Sequence, residues 1–152
     1  MKTVQGNNGN YIESKEDVIT YIDKLRYLLN SNKVKIQFQQ KRQVDEDRDE
    51  KYTNRYTIGD LFPDDEPTLV LKRELSTLTV ENYIETVKDI RFKNLSDMRV
   101  FGKNYNGKYV YIKIRVELLK STSYGLGDFI FVMSFHYSTI DFKNIVFPYS
   151  KK

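Results

Sequence analysis

Asn106–Gly107 is flanked by two runs of alternating apolar and polar residues, which together extend from Met98 to Glu117. Asparagine and glycine tolerate the positive φ that a two-residue type I′ turn requires at both central positions, so this stretch predicts an antiparallel hairpin. Successive side chains of a strand point to opposite faces of a sheet. On the second strand we expect Val110, Ile112, Ile114, Val116 and Leu118 to face the core, and Tyr109, Tyr111, Lys113, Arg115 and Glu117 to lie on the opposite face. The second set offers phenols and cations at a spacing of about 7 Å, which suits a polyanion.

Composition narrows the class of protein. The 152 residues carry a net charge of +4 and are 39% hydrophobic and 14% aromatic, which is typical of one globular domain, here expected to span residues 1–152. The positive charge permits nucleic-acid or acidic-protein partners. With no cysteine and a single histidine, the chain has no disulfide framework, no thiolate nucleophile and no multi-histidine zinc site, and we expect neither a metal nor another cofactor. Since no apolar run approaches the roughly 18 residues of a membrane span, and residues 1–10 lack the apolar core of a signal peptide, the expected location is the cytoplasm, without membrane association.

Helical signals come first along the chain. Residues 1–13 read as a flexible lead-in, and Ser14 with Asp17 has the spacing of an N-terminal capping box. Apolar residues then recur at helical spacing up to Asn30: Val18, Ile22, Leu25 and Leu29. A second helix is expected from Pro67, because proline is favoured at the first helical position. The pattern also predicts a short helix from Thr79 to Val87.

Strand signals alternate with a charged region. Residues 34–38 alternate as a short strand does, whereas residues 39–66 are expected to be a charged insertion or loop, solvated over the highly charged stretch 39–54. Within this region, residues 56–62 are expected to return to the core. Phe129–His136 is apolar on both sides, as a central strand would be, with Ser134 expected to face the core. After a loop at residues 121–128, this strand joins the hairpin in an antiparallel meander over residues 98–137. The order predicts an α+β fold, with N-terminal helices packed on one face of a small twisted antiparallel sheet.

Three segments resemble the MqsR-type toxins of bacterial toxin–antitoxin modules, which are RelE-like mRNA interferases. The first is Leu78-Thr79-Val80-Glu81-Asn82-Tyr83. The second is Val100-Phe101-Gly102, followed by the turn and strand from Asn106 to Lys113. The third is Val132–His136 with the ending Phe147-Pro148-Tyr149. The resemblance covers residues 78–149 and implies a RelE-like fold.

The resemblance also implies a reaction: metal-free cleavage of RNA, in which a 2′-hydroxyl attacks the neighbouring phosphorus. Such a step needs a base, an acid and a cation that stabilises the phosphorane. By position, the implied catalytic residues are Tyr111, His136 and Lys113, and a histidine suits proton transfer near neutral pH. The candidates for contacts to RNA and its phosphates are Arg99, Lys103, Tyr109 and Arg115. The implied partners are mRNA, free or on the ribosome, and a cognate antitoxin protein.

The sequence departs from the family's pattern at several positions. Glu85 stands where one branch has lysine, Met98 and Arg99 precede Val-Phe-Gly where members carry tryptophan, and the charged insertion lengthens the chain. Two other functions therefore stay open. One is a non-catalytic toxin-fold protein that binds a protein partner through the basic sheet face, and the other is a phage or mobile-element protein that uses its charge to bind nucleic acid or a host factor. Structural interpretations of the single residues also stay open: His136 as a structural residue at a strand end, and the face around Tyr111 as ordinary solvated surface.

Overall fold

A computed structural model describes residues 9–31, 34–40, 42–88, 95–117 and 128–151. Within these ranges the helices are α1 (Lys15–Leu29), α2 (Asn54–Leu61) and α3 (Pro67–Leu75), and the strands are β1 (Lys35–Phe38), β2 (Tyr83–Val87), β3 (Met98–Tyr105), β4 (Lys108–Glu117) and β5 (Phe129–Tyr137). Short 3-10 turns cover Gln43–Asp47, Glu50–Tyr52, Val80–Asn82 and Phe142–Asn144. No helix in the described ranges combines the length and apolar composition needed to cross a membrane.

The strands form one sheet in the order β1-β5-β4-β3-β2. Strands β2 to β5 pair antiparallel with their neighbours, so β3, β4 and β5 lie side by side in chain order as a meander does. Strand β1, however, runs parallel to β5, from the pair Lys35–Phe129 to the pair Phe38–Val132. The α+β prediction is confirmed, but the sheet is mixed rather than wholly antiparallel. Side-chain alternation in the sequence predicts which face of the sheet a residue lies on, but it does not predict the direction of a strand. The direction of the four-residue β1 depends on the path of the chain before and after it.

The hairpin forms as predicted between β3 and β4. Asn106 has a φ of 55° and Gly107 a φ of 90°, the positive values that a type I′ turn requires. The Oδ1 of Asn104 accepts a hydrogen bond from the Gly107 N–H at 2.6 Å, which further fixes the turn. This turn sets the register along the whole of β4 and therefore decides which of its side chains face the helices.

All three helices pack on one face of the sheet. The core-facing residues of β4 share one buried cluster with side chains of α1, α2 and α3; the members from β4 are Val110, Ile112, Ile114 and Val116. Helix α1 begins as expected, with Ser14 Oγ accepting from the Asp17 N–H at 3.1 Å. Helix α3 begins at Pro67, also as expected. Leu118 and residues 1–8 and 121–127, about which the sequence made predictions, lie outside the described residues.

The helix expected from Thr79 to Val87 is a 3-10 turn followed by strand β2. The pairing of β2 with β3 is irregular between Tyr83 and Glu85. Tyr83 and Thr86 therefore lie three residues apart yet are both fully buried, and their hydroxyls are 2.7 Å apart. The helix prediction rested on the spacing of Val80, Ile84 and Val87, but Val80 lies in the 3-10 turn and the other two lie in β2, so the three do not form one helix face.

Buried side chains also occur in the two segments for which the sequence predicted a charged insertion and a flexible lead-in. Residues 39–66 contain α2, and the side chains of Asn54 and Thr57 in that helix are buried. Tyr11, in the expected lead-in, forms an isolated antiparallel bridge with Thr86 and is only 7% exposed. Composition alone could not reveal this packing, because it depends on the particular contacts that Tyr11, Asn54 and Thr57 make with distant residues.

Candidate functional site

A bulge in β5 changes the face of the sheet on which the side chains after it lie. Lys113 of β4 pairs with Ser134, whereas the next residue, Ile114, pairs with Val132, so Met133 is the extra residue. Val132 and Phe135 both enter the core in consequence. Ser134 and His136 instead lie opposite Lys113 and Tyr111, on the face away from the helices. The expectation that Ser134 faces the core is therefore wrong, because simple alternation does not survive a bulge.

Asn54, at the start of α2, holds this bulge. Its Nδ2 donates to the carbonyl oxygen of Met133 at 2.9 Å and to that of Gln39 at 2.6 Å. Its Oδ1 accepts from the Phe135 N–H at 2.9 Å. The side chain is fully buried, and it supplies partners to backbone groups on both sides of Ser134. The interior of the protein thus fixes where His136 points.

Tyr111 and His136 meet on the sheet face opposite the helices. They are direct cross-strand partners, and their rings stack with centroids 5.5 Å apart and planes 24° apart. His136 Nδ1 lies 2.9 Å from the carbonyl oxygen of Tyr137. Because a carbonyl oxygen only accepts, Nδ1 carries the hydrogen, and in the neutral ring Nε2 keeps its lone pair. His136 can therefore accept a proton at Nε2.

Two arginines from the segment after β1 lie beside this pair. Arg42 Nη1 donates to Ser134 Oγ at 3.3 Å, and Arg48 forms an ion pair with Asp45 at 3.9 Å. With Tyr111, Lys113 and His136, these arginines line a groove of about 300 Å³. We call it the sheet groove. Three cationic side chains and two stacked rings in one cavity make a site suited to a phosphate joined to a nucleobase.

Burial shifts the proton affinities of the stacked pair in opposite directions. It lowers the pKa of His136, and the charges of Arg48 and Arg42 lower it further, against the opposing effect of the hydrogen bond to the Tyr137 carbonyl. Burial raises the pKa of Tyr111 to about 12, aided by the charge of Glu85 and opposed by Arg42. At neutral pH the histidine is therefore a neutral base, and the tyrosine keeps its proton.

The C-terminal segment, residues 138–151, forms one wall of the sheet groove. Ile140 and Ile145 line the groove, and the Phe142 ring stacks on Tyr109 with centroids 4.5 Å apart. A Cβ on Gly102, which pairs with Tyr111, would fall 2.8 Å from the Phe142 ring. The absence of a side chain at Gly102 is what lets this wall approach the sheet.

Two of the predicted phosphate contacts lie on the face covered by the helices. Arg99 donates from Nε and Nη2 to the carboxylate of Glu13, at 2.9 Å each, and lies 4.4 Å from the Tyr21 ring centroid. Lys103 hydrogen-bonds Thr77, and its Nζ is 3.7 Å from a carboxylate oxygen of Glu74. In β3 these positions pair with Ile114 and Val110, so alternation turns them towards the core side.

The third, Arg115, is on the same face as Tyr111 but does not reach the sheet groove. It is 7% exposed, forms an ion pair with Glu117 at 3.7 Å and lies 5.1 Å from the Phe131 ring centroid. Tyr109, the fourth candidate, lies on the same face beside Phe142. Of the sequence candidates, the structure therefore brings together Tyr111, His136 and Lys113 in one groove.

Sequence reasoning missed Arg42 and Arg48. Both lie in the charged region that was expected to be solvated, and the packing of residues 42–48 brings them beside β5. Nothing in their spacing distinguishes them from the other charged residues there. No group of three or more histidine, aspartate or glutamate side chains within the described ranges is arranged to hold a metal ion.

Fold and groove together define an α+β protein with a cationic, aromatic-floored site on the sheet face opposite its helices. Comparison with known proteins adds no relative: no family model, no curated protein and no solved structure matches the chain. The interpretation of the site accordingly depends on its own residues.

Proposed function

We propose that this protein is the toxin of a toxin–antitoxin system, a metal-independent endoribonuclease that cleaves mRNA in the cytoplasm and is held inactive by a cognate antitoxin. The observation that carries the proposal is the stacked pair of Tyr111 and His136, 5.5 Å apart, in a groove with Arg42, Arg48 and Lys113. The resemblance of residues 78–149 to MqsR-type toxins supports the same reaction.

The chemistry follows from the protonation states of the pair. His136 Nε2 takes the proton of an RNA 2′-hydroxyl, and the freed oxygen attacks the adjacent phosphorus. The bond from phosphorus to the 5′-oxygen then breaks, which leaves a 2′,3′-cyclic phosphate and a 5′-hydroxyl. Tyr111, protonated at neutral pH, donates a proton to that departing oxygen.

The cations of the sheet groove stabilise the charge that develops on the phosphorane oxygens. An arginine presents a planar fork of N–H donors to a phosphate, whereas Lys113 acts as a point charge. Arg42 already donates to Ser134 Oγ, so its guanidinium is held in position before RNA arrives. Such preorganised charge needs little rearrangement during the reaction, which is the main source of electrostatic catalysis.

The test is cleavage of single-stranded RNA by the purified protein in the presence of a metal chelator. We expect fragments ending in 2′,3′-cyclic phosphate, and a rate that falls about 10²- to 10⁴-fold in His136→Ala, the range for loss of a general base. Tyr111→Phe removes the proton donor but keeps the stacked ring. Tyr27→Phe, in a side chain 76% exposed on α1, is the matched control and should cleave as the wild type does.

The pH dependence provides a second measurement. Only neutral His136 accepts a proton, and its pKa lies below the usual value of about 6.5. The rate constant kcat/KM should therefore rise with pH on an acid limb below about 6.5 and be level at neutral pH. Intact RNA after incubation with folded wild-type protein, together with normal growth of cells that express it, would contradict the nuclease proposal.

A further inference from the structure

A second cleft lies beside the sheet groove, next to the hairpin. It has a volume of about 290 Å³ and is lined by Lys51, Tyr52, Lys108, Tyr109, Tyr137 and Ser138. Ser138 lines the sheet groove as well. Tyr109 precedes Tyr111 by two residues on the same face of β4, so the two rings start about 7 Å apart. We call this cavity the hairpin cleft; it adjoins the sheet groove at Ser138.

Rings and cations alternate in the hairpin cleft. Lys51 Nζ lies 5.1 Å from the Tyr52 ring centroid, and Lys108 Nζ lies 5.8 Å from the Tyr137 ring centroid. Aromatic faces that stack bases, combined with cations that follow the backbone, are how proteins bind single-stranded nucleic acids. At about 290 Å³, the cleft lies at the lower end of the size range of ligand pockets. That size suits a single nucleotide unit.

Two of the three tyrosines of the hairpin cleft, Tyr109 and Tyr137, are held in place by contacts within the fold. Tyr109 stacks on Phe142 with ring centroids 4.5 Å apart. The Tyr137 hydroxyl donates to an Asp60 carboxylate oxygen at 2.5 Å, and Lys108 Nζ contacts the same oxygen at 3.1 Å. Because these rings are already ordered, a stacking base would meet a prepared surface, and less entropy would be lost on binding.

We infer that the hairpin cleft binds one nucleotide of a single-stranded RNA whose neighbouring nucleotide lies in the sheet groove, its base stacked on the tyrosines and its phosphate near Lys51 and Lys108. This inference depends on the proposed function for the identity of the RNA. The clefts would act as adjacent subsites, so affinity for RNA should come from positions flanking the scissile bond as well as from that bond.

The experiment measures binding to RNA that cannot be cleaved. The probe is a fluorescent 2′-O-methyl RNA oligonucleotide of about six nucleotides, within the site sizes of single-strand binders, followed by fluorescence anisotropy. Its 2′-oxygens carry no proton, so the attack cannot occur. We expect Tyr52→Ala to bind roughly 5- to 150-fold more weakly, the range for loss of one stacking ring. Tyr52→Phe keeps the ring and should bind within about twofold of the wild type.

Lys51→Ala tests the charge independently of the rings. Removing one phosphate contact should reduce the slope of log affinity against log salt concentration by about 0.7 for a single strand. Tyr27→Ala and Lys24→Ala on α1, both at exposed positions, are the matched controls. All variants should show the wild-type melting temperature, since Lys51 is exposed and Tyr52 is not buried in the core.

The subsite and the nuclease proposal fail separately. If folded Tyr52→Ala and Lys51→Ala bind the probe as the wild type does, the subsite is refuted even when the wild type cleaves RNA through His136. If the wild type binds the probe through Tyr52 and Lys51 yet leaves ordinary RNA intact, the subsite stands and the nuclease proposal is refuted.

Discussion

Replacing Asn54 with alanine removes three hydrogen bonds at once from the place where β5 changes face. The Met133 and Gln39 carbonyls lose a donor, and the Phe135 N–H loses its acceptor. The site is fully buried. Each buried polar group left without a partner costs about 1–3 kcal/mol. We therefore expect the free energy of unfolding to fall by at least about 3 kcal/mol. Losses above roughly 5 kcal/mol are exceptional for a single substitution, so we expect the loss to lie between these two values.

Chemical and thermal unfolding measure this loss. A decrease of about 3 kcal/mol corresponds to a melting temperature lower by roughly 6–12 °C for a chain of this length. RNA cleavage should also fall in the fraction that remains folded, because Asn54 supports the bulge that aims Ser134 and His136 into the sheet groove. Asn30→Ala, at an exposed position just after α1, is the control and should change stability by less than about 0.5 kcal/mol.

Asn54→Asp tests the same reasoning through pH. A carboxylate keeps the acceptor for the Phe135 N–H but faces two carbonyl oxygens, and burial disfavours its charge, so its pKa should rise in the folded protein. A group whose pKa is higher when folded stabilises most below its unfolded pKa, and that stability is lost as pH rises. The variant should thus recover stability on acidification. A loss below about 1 kcal/mol in Asn54→Ala would refute the assigned role of this side chain.

Two further substitutions test the two faces of the sheet. Gly102→Ala would place a Cβ 2.8 Å from Phe142 and 2.9 Å from Phe147, so we expect it to destabilise by about 1–3 kcal/mol and to weaken RNA binding as the groove wall shifts. The control Gly59→Ala has nothing within 4 Å of its Cβ and lies within α2, so its melting temperature should rise slightly. Arg99→Met leaves the partly buried Glu13 without its bidentate partner and should cost less than the about 3–5 kcal/mol of a fully buried ion pair in chemical unfolding, largely restored by adding Glu13→Gln. The double variant should still cleave RNA. Loss of cleavage in a double variant of restored stability would show that Arg99 contributes to the cleavage site after all.

Local sequence patterns correctly predicted the elements that depend on interactions between residues close together in the sequence. The Asn106–Gly107 turn, the Ser14 cap and the Pro67 helix start each depend on residues within a few positions of one another, and all three form as expected. The alternation of β4 likewise predicted which side chains face the core. These features follow from backbone conformation and from side-chain periodicity, which a sequence displays directly.

The wrong face assigned to Ser134 has one physical cause, the single-residue irregularity in the pairing of β5 with β4. An extra residue such as Met133 shifts the alternation of a strand without leaving a sign in composition, so Ser134 was assigned to the wrong face. Arg42 was missed for a related reason. Its role depends on residues far away in sequence, 92 positions for its hydrogen bond to Ser134. Where pairing with a distant strand decides which way a side chain points, the local pattern of the sequence does not show it.

The parallel pairing of β1 with β5 has a consequence for how the chain reaches this fold. Lys35 pairs with Phe129, so β1 must wait for a strand made much later in synthesis, whereas the hairpin of β3 and β4 needs only its own turn. Closing a long loop costs entropy before its contacts form, and such non-local pairing slows folding. We therefore expect the meander to assemble first and β1 to dock last. Until it does, the backbone groups on one edge of β5 stay open to pairing with other chains.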